Sequence, residues 1–102
     1  MKHRVFFRPA AEQDLIELYA YIAADSGLVR AGGFIDRIEA ACLQLEIFPE
    51  RGRLREELAP GIRILGFERR VTIAFRVQGD QVEILRIFYG GRDFETALSE
   101  ER

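Results

Sequence analysis

The sequence predicts an α+β fold in which two helices pack on one face of a small β-sheet. One short strand-like segment is followed by two helix-like segments and then by three strand-like segments. Residues 69–77 alternate between apolar side chains and Arg, Thr or Ala, which is typical of a strand with two different faces. The last strand-like segment, residues 81–90, has apolar side chains at both odd and even positions, as expected of a central strand that is covered on two faces. A chain of 102 residues can bury one modest core, so we expect a single domain over residues 1–102.

The first half of the chain is predicted to form a strand and a helical hairpin. The first strand lies in HRVFFRP, and Pro9 suits the first turn of the following helix because it has no N–H to leave unpaired. The apolar stripe of the first helix comprises Ala11, Leu15, Leu18, Tyr19 and Ile22. We expect its acidic side chains to lie mostly outside the stripe: Glu12, Asp14 and Glu17. After a break at residues 25–27, the second stripe comprises Phe34, Ile38, Ala41, Leu45 and Phe48, and Pro49 ends it.

The second half begins with an arginine-rich turn, ERGRLREELAPG, and continues as strands over residues 62–67, 69–77 and 81–90. Gly79 and Asp80 supply a two-residue hairpin turn. A tight turn places Arg70 opposite Tyr89 and Arg76 opposite Glu83. With the helices on one face, the predicted β-αα-βββ arrangement leaves the other sheet face available to a partner.

Composition excludes several classes of function. No segment approaches the roughly 18 apolar residues that a membrane span needs, and the N-terminus lacks the features of a secretion signal, so we expect a cytoplasmic protein. Cys42 and His3 are the only residues of their types. We therefore expect no metal site, no cofactor and no Cys-His nucleophile, because each of these needs ligands or partners that the sequence lacks.

The positive charge is concentrated in the middle of the chain and is almost entirely arginine. Residues 51–92 carry nine basic and five acidic side chains, a net charge of +4, whereas residues 1–50 and 93–102 each carry −3. Lys2 is the only lysine. Arginine suits planar recognition of carboxylate or phosphate. The run Arg51, Arg53 and Arg55 is either a solvated loop or a contact for an acidic or phosphate-bearing partner.

Four segments, in the same order, carry a family resemblance: RPAAEQDLIELYAYIA, AGGFIDRIEAACLQLEIFPERGR, IAFRV and ILRIFYGGRDFE. The last segment is the most specific, with Arg86, an apolar pair, Tyr89, two glycines and then Arg92 and Asp93. With these segments the chain resembles the ParE branch of the RelE/ParE superfamily, toxins of bacterial type II toxin–antitoxin and plasmid-stabilisation modules. The resemblance implies a mixed four-stranded sheet in the order 1-4-3-2. It also implies a ParD-like antitoxin whose C-terminal segment wraps the toxin and neutralises it.

Two activities compete within this superfamily. ParE-like members bind DNA gyrase, and RelE-like members cleave mRNA on the ribosome. Arg63, Arg70 and Arg92 occupy roughly the positions where the ribonucleases carry phosphate-contacting residues. The C-terminal tyrosine of the ribonucleases is missing, because the matching position falls near Leu98. Arginine alone cannot shuttle protons at neutral pH, so the resemblance favours gyrase inhibition without catalysis and keeps the endoribonuclease as the alternative.

The expected partner-binding residues lie on or beside the last three strands: Arg63, Arg70, Arg76, Arg86, Tyr89 and Arg92. Each has a structural alternative. Arg86 either binds the target or pairs with Glu83 or Asp93, and Tyr89 is expected to pack against Arg70 as a half-buried anchor. Arg92 and Asp93 either contact the target or form a local ion pair. The protein is not expected to bind DNA sequence-specifically by itself.

Residues 93–102 are expected to form a C-terminal helix or tail. Asp93 is a suitable N-cap for a helix in DFETALSEER. The resemblance suggests that this segment carries target specificity, while residues 1–92 hold the fold.

Overall fold

The structure, a computed structural model, describes residues 2–100 of the chain. Its helices are α1 (Pro9–Ser26), α2 (Leu28–Leu43) and α3 (Phe94–Glu100), with a 3₁₀ turn at Gln44–Glu46. Its strands are β1 (Arg4–Phe7), β2 (Arg53–Leu54), β3 (Ile62–Phe67), β4 (Val71–Gln78) and β5 (Gln81–Tyr89). In the described part of the chain, no helix is both long enough and apolar enough to cross a membrane.

The strands form one mixed sheet in the order β1-β5-β4-β3-β2, with β1 parallel to β5 and the other pairs antiparallel. The predicted order of four strands is confirmed, and β2 is an addition at the edge beside β3. Two residues are too few to show an alternating pattern, and β2 lies inside the predicted arginine-rich turn. The turn before β2 requires Gly52, whose φ is +76°, because an added Cβ would lie 2.5 Å from the Ile64 carbonyl oxygen.

The helical hairpin packs on one face of the sheet and forms the larger core. That core includes Leu15 and Leu18 of α1, Ile38 of α2, and Phe75 and Ile84 of the central strands. The predicted boundary at residues 25–27 is confirmed, and Gly27 has a φ of +93° between the two helices.

The prediction that Phe48 continues the apolar stripe of the second helix is wrong. The α-helix ends at Leu43, and after the 3₁₀ turn the amides of Ile47 and Phe48 both donate to the Gln44 carbonyl. This change of direction turns the Phe48 side chain outward, where it is 57% exposed.

The predicted β4–β5 register holds only near the hairpin turn. Arg76 does pair with Glu83, but Val71, not Arg70, pairs with Tyr89. The register shifts at Ala74/Phe75, where Ala74 pairs with Arg86 and Phe75 with Ile84, leaving Leu85 as an extra residue in β5. Such a β-bulge shifts every pair beyond it by one residue, which a simple alternating count cannot reveal.

The second face of the sheet is covered, contrary to the expectation that it is open. The apolar residues there form a second core with the loop at residues 55–61 and with α3: Leu58, Ala59, Ile62, Ala74, Leu85, Phe88 and Leu98. Leu98 is only 1% exposed. The sheet therefore has a core on each of its faces, which accounts for the apolar character of β5 at both parities.

Asp93 caps α3 as predicted. Its Oδ1 accepts the Thr96 amide at 3.2 Å, and its Oδ2 accepts the Thr96 hydroxyl at 2.6 Å. The helix is also tied to the covering loop by Arg55, which bridges Glu57 and Glu95. The predicted segment 93–102 is thus helical over Phe94–Glu100. Its last two residues lie outside the described part of the chain.

Candidate functional site

The six predicted partner-binding residues fall into two groups. Arg70, Arg86, Tyr89 and Arg92 lie toward the C-terminal end of β5 or beside it, whereas Arg63 and Arg76 lie near the opposite end of the β3–β4 pair. Arg63 pairs with Phe75, whereas Arg70 immediately precedes Val71, the residue that pairs with Phe67. Arg63 and Phe67 are four residues apart on β3, which corresponds to about 13 Å along the strand. The structure therefore does not bring all six together.

Tyr89 is the centre of the first group. Its ring centroid lies 5.9 Å from that of Tyr21 on α1 and 6.1 Å from that of Phe34 on α2, the latter edge-on. Arg70 Nη1 donates to the Tyr89 hydroxyl at 3.3 Å, and this hydrogen bond raises the pKa of Arg70. The expected contact between Tyr89 and Arg70 is thus present, although the two residues are not opposite each other in the sheet.

The turn that presents Arg70 has an unusual backbone. Glu68 and Arg69 have φ angles of 49° and 64°, a region that favours Gly and Asn in hairpin turns. Glu68 is held from α2 by Arg37, which donates from Nε at 2.8 Å and from Nη2 at 3.1 Å. These hydrogen bonds lower the pKa of Glu68. The helical hairpin therefore fixes the turn that carries Arg69 and Arg70.

The sequence offers Glu83 or Asp93 as an ion-pair partner for Arg86. In the structure, Arg86 pairs instead with Asp14 of α1. Its Nε lies 2.7 Å from Asp14 Oδ2 and its Nη2 lies 3.0 Å from Oδ1. Asp14 Oδ2 also accepts the backbone amide of Ile87 at 2.8 Å. Asp14 is only 8% exposed, so the expectation that it lies outside the apolar stripe is wrong.

Sequence reasoning missed Asp14, but a signal was present. Asp14 lies three residues after Ala11 and four before Leu18, both on the buried stripe, so helical spacing places it on the same face. A carboxylate on such a face requires a partner. The structure supplies that partner in Arg86, which makes Arg86 a bracing residue of the fold.

Arg92 lies beside the same end of β5. Its guanidinium carbon is 6.0 Å from the centroid of the Phe88 ring, and that of Arg86 is 4.9 Å from it. The alternative of an Arg92–Asp93 ion pair is not observed among the described residues, because the Asp93 carboxylate accepts from Thr96. The hydrogen bonds from Thr96 lower the pKa of Asp93.

The second group is held by backbone carbonyls. Arg63 Nη1 donates to the Glu50 carbonyl at 3.0 Å, and Arg76 Nε donates to the Pro60 carbonyl at 3.0 Å. Arg76 also lies 3.9 Å from Glu83. Strand alternation points Arg63 toward the helical hairpin with Phe75, and Arg76 toward the second core with Ala74.

The arginine run of the turn has internal contacts at two of its three positions. Arg51 donates to the Gln44 side chain at 3.1 Å, and Arg55 bridges Glu57 and Glu95. Arg53 is exposed on β2 and has no side-chain bond to another described residue. The solvated-loop alternative thus fits Arg53 best, while Arg55 has a structural role.

The chain offers no built site for a metal or a thiolate nucleophile within the described residues. Among residues 2–100, no group of three or more His, Cys, Asp or Glu side chains lies close enough to hold an ion. Cys42 is fully buried, and burial, with a smaller contribution from Glu39, raises its pKa to about 12.

Within the described part of the chain, Tyr89 lines two neighbouring cavities. The larger, about 510 Å³, is lined by the aromatic rings and guanidinium groups of Tyr21, Phe34, Tyr89, Arg30, Arg37 and Arg70, with Asp25 at its wall. We refer to it as the Tyr21 cavity. The second, about 400 Å³, lies between α1 and the end of β5 and includes Glu17, Gly90 and Arg92. Tyr21 and Tyr89 form the wall that the two cavities share.

The chain matches a family and several known proteins over most of its length. Residues 5–94 match the family described as the ParE toxin of the type II toxin–antitoxin system parDE. Toxin ParE3 of Caulobacter vibrioides is 30% identical over 88 residues, which is 86% of this chain and 87% of that protein.

Solved structures show the same fold. The chromosomal ParDE toxin–antitoxin system from P. aeruginosa superposes with a TM-score of 0.76 at 27% identity, covering 87% of this chain and 97% of the other. The RelBE2 complex from Mycobacterium tuberculosis superposes with a TM-score of 0.62 at 18% identity, covering 87% and 99%. That second likeness concerns the fold alone. The family match and the similarity to ParE3 show that the chain belongs to the ParE toxins of type II toxin–antitoxin systems.

Proposed function

We propose that this toxin inhibits DNA gyrase by binding it, without catalysis of its own, and that a ParD-like antitoxin neutralises it. The observation that carries the proposal is the burial of Leu98, at 1% exposure, in the second core. In the ribonuclease branch, the corresponding segment is expected to present a tyrosine for proton transfer. An apolar side chain packed inside the protein cannot perform that step.

The arrangement of the arginines also argues against a nuclease site. Arg63 is bonded to the Glu50 carbonyl, while Arg70, about 13 Å farther along the sheet, is bonded to the Tyr89 hydroxyl. Stabilising the charge of one reacting phosphate requires donors that converge within hydrogen-bond distance of it. Since these two do not converge, the endoribonuclease remains the weaker candidate.

An antitoxin partner is supported by the outer surface of the helical hairpin. A groove of about 380 Å³ between α1 and α2 is lined by Phe7, Leu15, Ile16, Tyr19 and Ile35, together with Glu12 and Glu39. Ile16 is 62% exposed there. Exposed apolar side chains in a groove suit an amphipathic segment that folds as it binds. The solved P. aeruginosa ParDE system is a toxin–antitoxin system of the same family. The proposed target would place the protein in the cytoplasm.

The decisive experiment compares both targets with the same purified chain. Relaxed plasmid, gyrase and ATP are incubated with increasing toxin, and supercoiling and cleaved DNA are measured on gels. In parallel, mRNA on translating ribosomes is mapped for new 5′ ends. We expect supercoiling to be lost, cleaved plasmid to accumulate, and the mRNA to remain intact.

Two controls make the result specific. Omitting gyrase tests whether the toxin cleaves plasmid by itself, and a gyrase-independent relaxation reaction tests for general interference with DNA enzymes. Codon-dependent mRNA cleavage with unaffected supercoiling would overturn the proposal in favour of the ribonuclease.

A further inference from the structure

The Tyr21 cavity combines aromatic rings with several positive charges. Its volume of about 510 Å³ falls within the range of small-molecule sites. The cavity lies on the helical-hairpin side of the sheet, with walls from α1, α2 and the ends of β4 and β5. It is distinct from the apolar groove between α1 and α2, which Tyr19 lines.

We propose that the Tyr21 cavity binds a nucleotide, with the base against the aromatic wall and the phosphate among the arginines. The ligand is either a free nucleotide or one nucleotide of a single strand, because both present the same ring and the same anion. The proposal is independent of the gyrase assignment, since it concerns what this cavity binds and not which enzyme the toxin inhibits.

The ring side of the site is already built. Tyr21 is 64% exposed, and its inner side is held by Tyr89, whose ring is 5.9 Å away and tilted by 58°. Phe34 supports Tyr89 edge-on from α2. An exposed ring that is braced from behind can stack on any base, because every base has a π-face.

Three guanidinium groups line the part of the cavity proposed to bind the phosphate, and they differ in how firmly hydrogen bonds hold them. Arg70 is fixed by the Tyr89 hydroxyl, which uses one of its five N–H donors and leaves the others available. The Tyr89 hydroxyl, which accepts from Arg70, can still donate its own proton to a phosphate oxygen. Arg37 is fixed by Glu68. Arg30 has no hydrogen bond or ion pair to another described residue.

The side chains that line the cavity favour an anion even when the negative charge of Asp25 is included. Asp25 is the one carboxylate among the described lining residues, and it already accepts the Ser26 hydroxyl at 2.8 Å. Glu68 does not line the cavity, but it neutralises the charge of Arg37 by pairing with it. Arg30 and Arg70 therefore remain to oppose Asp25, and a phosphate among them would gain charge-assisted hydrogen bonds.

The turn at residues 68–70 gives a second, independent reason to assign a role to this end of the molecule. Glu68 and Arg69 adopt positive φ angles, and the Arg37–Glu68 contact holds them there. Unfavourable backbone conformations tend to cluster at ligand-binding sites, where surrounding contacts maintain them. Here the maintained feature is the placement of Arg70 beside Tyr89.

Binding is tested with the purified full chain and two kinds of probe. A fluorescently labelled ten-nucleotide single-stranded DNA is titrated by anisotropy, and adenosine monophosphate is titrated by calorimetry. We expect Tyr21→Ala to weaken oligonucleotide binding about tenfold, and Tyr21→Phe to leave it nearly unchanged because the ring is retained. We expect Arg70→Ala to weaken binding and to reduce the salt slope by about one.

Matched controls use the same residue types elsewhere on the surface. Tyr19→Ala removes an exposed tyrosine from the apolar groove, and Arg53→Ala removes an exposed arginine from β2. Both variants are expected to bind like the unaltered chain. Circular dichroism spectra of all the variants establish that they are folded.

The possible outcomes separate the sources of the ligand and the competing explanations. Binding of adenosine monophosphate with the same dependence on Tyr21 identifies a free-nucleotide site, and binding of the oligonucleotide alone identifies a site for a strand. Absence of binding to both probes overturns the proposal. Equal losses in Tyr19→Ala or Arg53→Ala, or equally effective competition by inorganic phosphate or a polyglutamate peptide, also overturn it, because charge alone would then explain the binding.

Discussion

Asp14 accepts a backbone hydrogen bond from β5 that a neighbouring strand would otherwise accept. β1 pairs with β5 only as far as Ile84, whose carbonyl accepts the Arg8 amide at 3.0 Å. Beyond that point the chain has left the sheet to begin α1, so no strand formed by the described residues lies beside this edge of β5. The Asp14 carboxylate reaches the edge from the helix and accepts the Ile87 amide. The same carboxylate binds Arg86, and one acidic residue thereby joins helix to sheet.

We predict that Asp14→Ala lowers the free energy of unfolding by about 3 kcal/mol, since it leaves both the Arg86 guanidinium and the Ile87 amide without this acceptor. Asp14→Asn should cost less, because its amide oxygen can still accept from Ile87. The measurement is urea unfolding followed by circular dichroism. Glu12→Gln, at an exposed position on the same helix, is the matched control. Equal midpoints for the three variants would show that the buried pair contributes nothing to stability.

The Asp14–Arg86 pair also shows which kind of contact cannot be predicted from the sequence. Helical spacing contains enough information to place Asp14 on the buried face, yet it cannot name Arg86 as the partner, 72 residues away. Glu83 and Asp93 are closer in sequence, and pairing with one of them is the structural alternative that the sequence offers for Arg86. Glu83 instead faces Arg8 and Arg76, while Asp93 is engaged by Thr96. Such choices depend on the bulge in β5 and on the packing of α1, neither of which is a local property.

Among the elements, α3 differs most from its expected role. The sequence identified its cap correctly, because Asp93 three residues before Thr96 is a local pattern. It did not reveal that the helix packs on the sheet, since a seven-residue segment shows barely two turns of periodicity. Leu58 and Ala59 were likewise hidden within a turn that appeared polar. These residues close the face that the alternation in β4 suggested would be free.

We predict that Leu98→Ala destabilises the protein by about 2–4 kcal/mol, because it removes a buried side chain from the second core. Leu43→Ala, in a helical leucine that is 48% exposed, is the matched control and should change stability little. Both are measured by urea unfolding monitored by circular dichroism. If Leu98→Ala unfolds at the same urea concentration as Leu43→Ala, residues 94–100 do not hold the fold, and the expectation that residues 1–92 suffice would stand.

The longer elements were predictable because each repeats one pattern many times. The two helices and their boundary, the strands β3 to β5 and the hairpin turn at Gly79 all follow from spacing and turn residues. The two-residue β2 and the bulge at Leu85 are single events with no repeat. The turn at Glu68 and Arg69 is harder still, since neither residue favours positive φ, and its conformation depends on a contact with α2.

At the scale of the whole molecule, the arginines that looked alike in sequence are divided between two ends of the sheet. Arg70 and Arg92 lie near Tyr89, at the cavities shared by the helical hairpin and β5. Arg63 and Arg76 lie toward the other end and donate to backbone carbonyls. The net charge of +4 over residues 51–92 is therefore not one continuous patch. A partner that follows the hairpin groove meets these two ends separately.

This separation changes what we expect for antitoxin binding. An acidic, amphipathic antitoxin segment should gain most of its affinity from apolar burial in the hairpin groove, with exposed arginines steering its approach. Arg70 is exposed and has no carboxylate partner among the described residues. The Arg76 side chain is 25% exposed, and Glu83, 3.9 Å away, offsets its charge. The two arginines should therefore contribute unequally.

We predict that Arg70→Ala slows association of a ParD-like antitoxin several-fold at low salt and flattens the salt dependence of its association rate, with a smaller change in dissociation. Arg76→Ala should alter the association rate less, because its field is already reduced by Glu83. Stopped-flow binding at several ionic strengths measures both rates, and Arg53→Ala serves as an exposed control on β2. Identical association rates and salt slopes for Arg70→Ala and the unaltered chain would exclude Arg70 from steering. An effect confined to Arg76→Ala would instead move the encounter surface to the opposite end of the sheet.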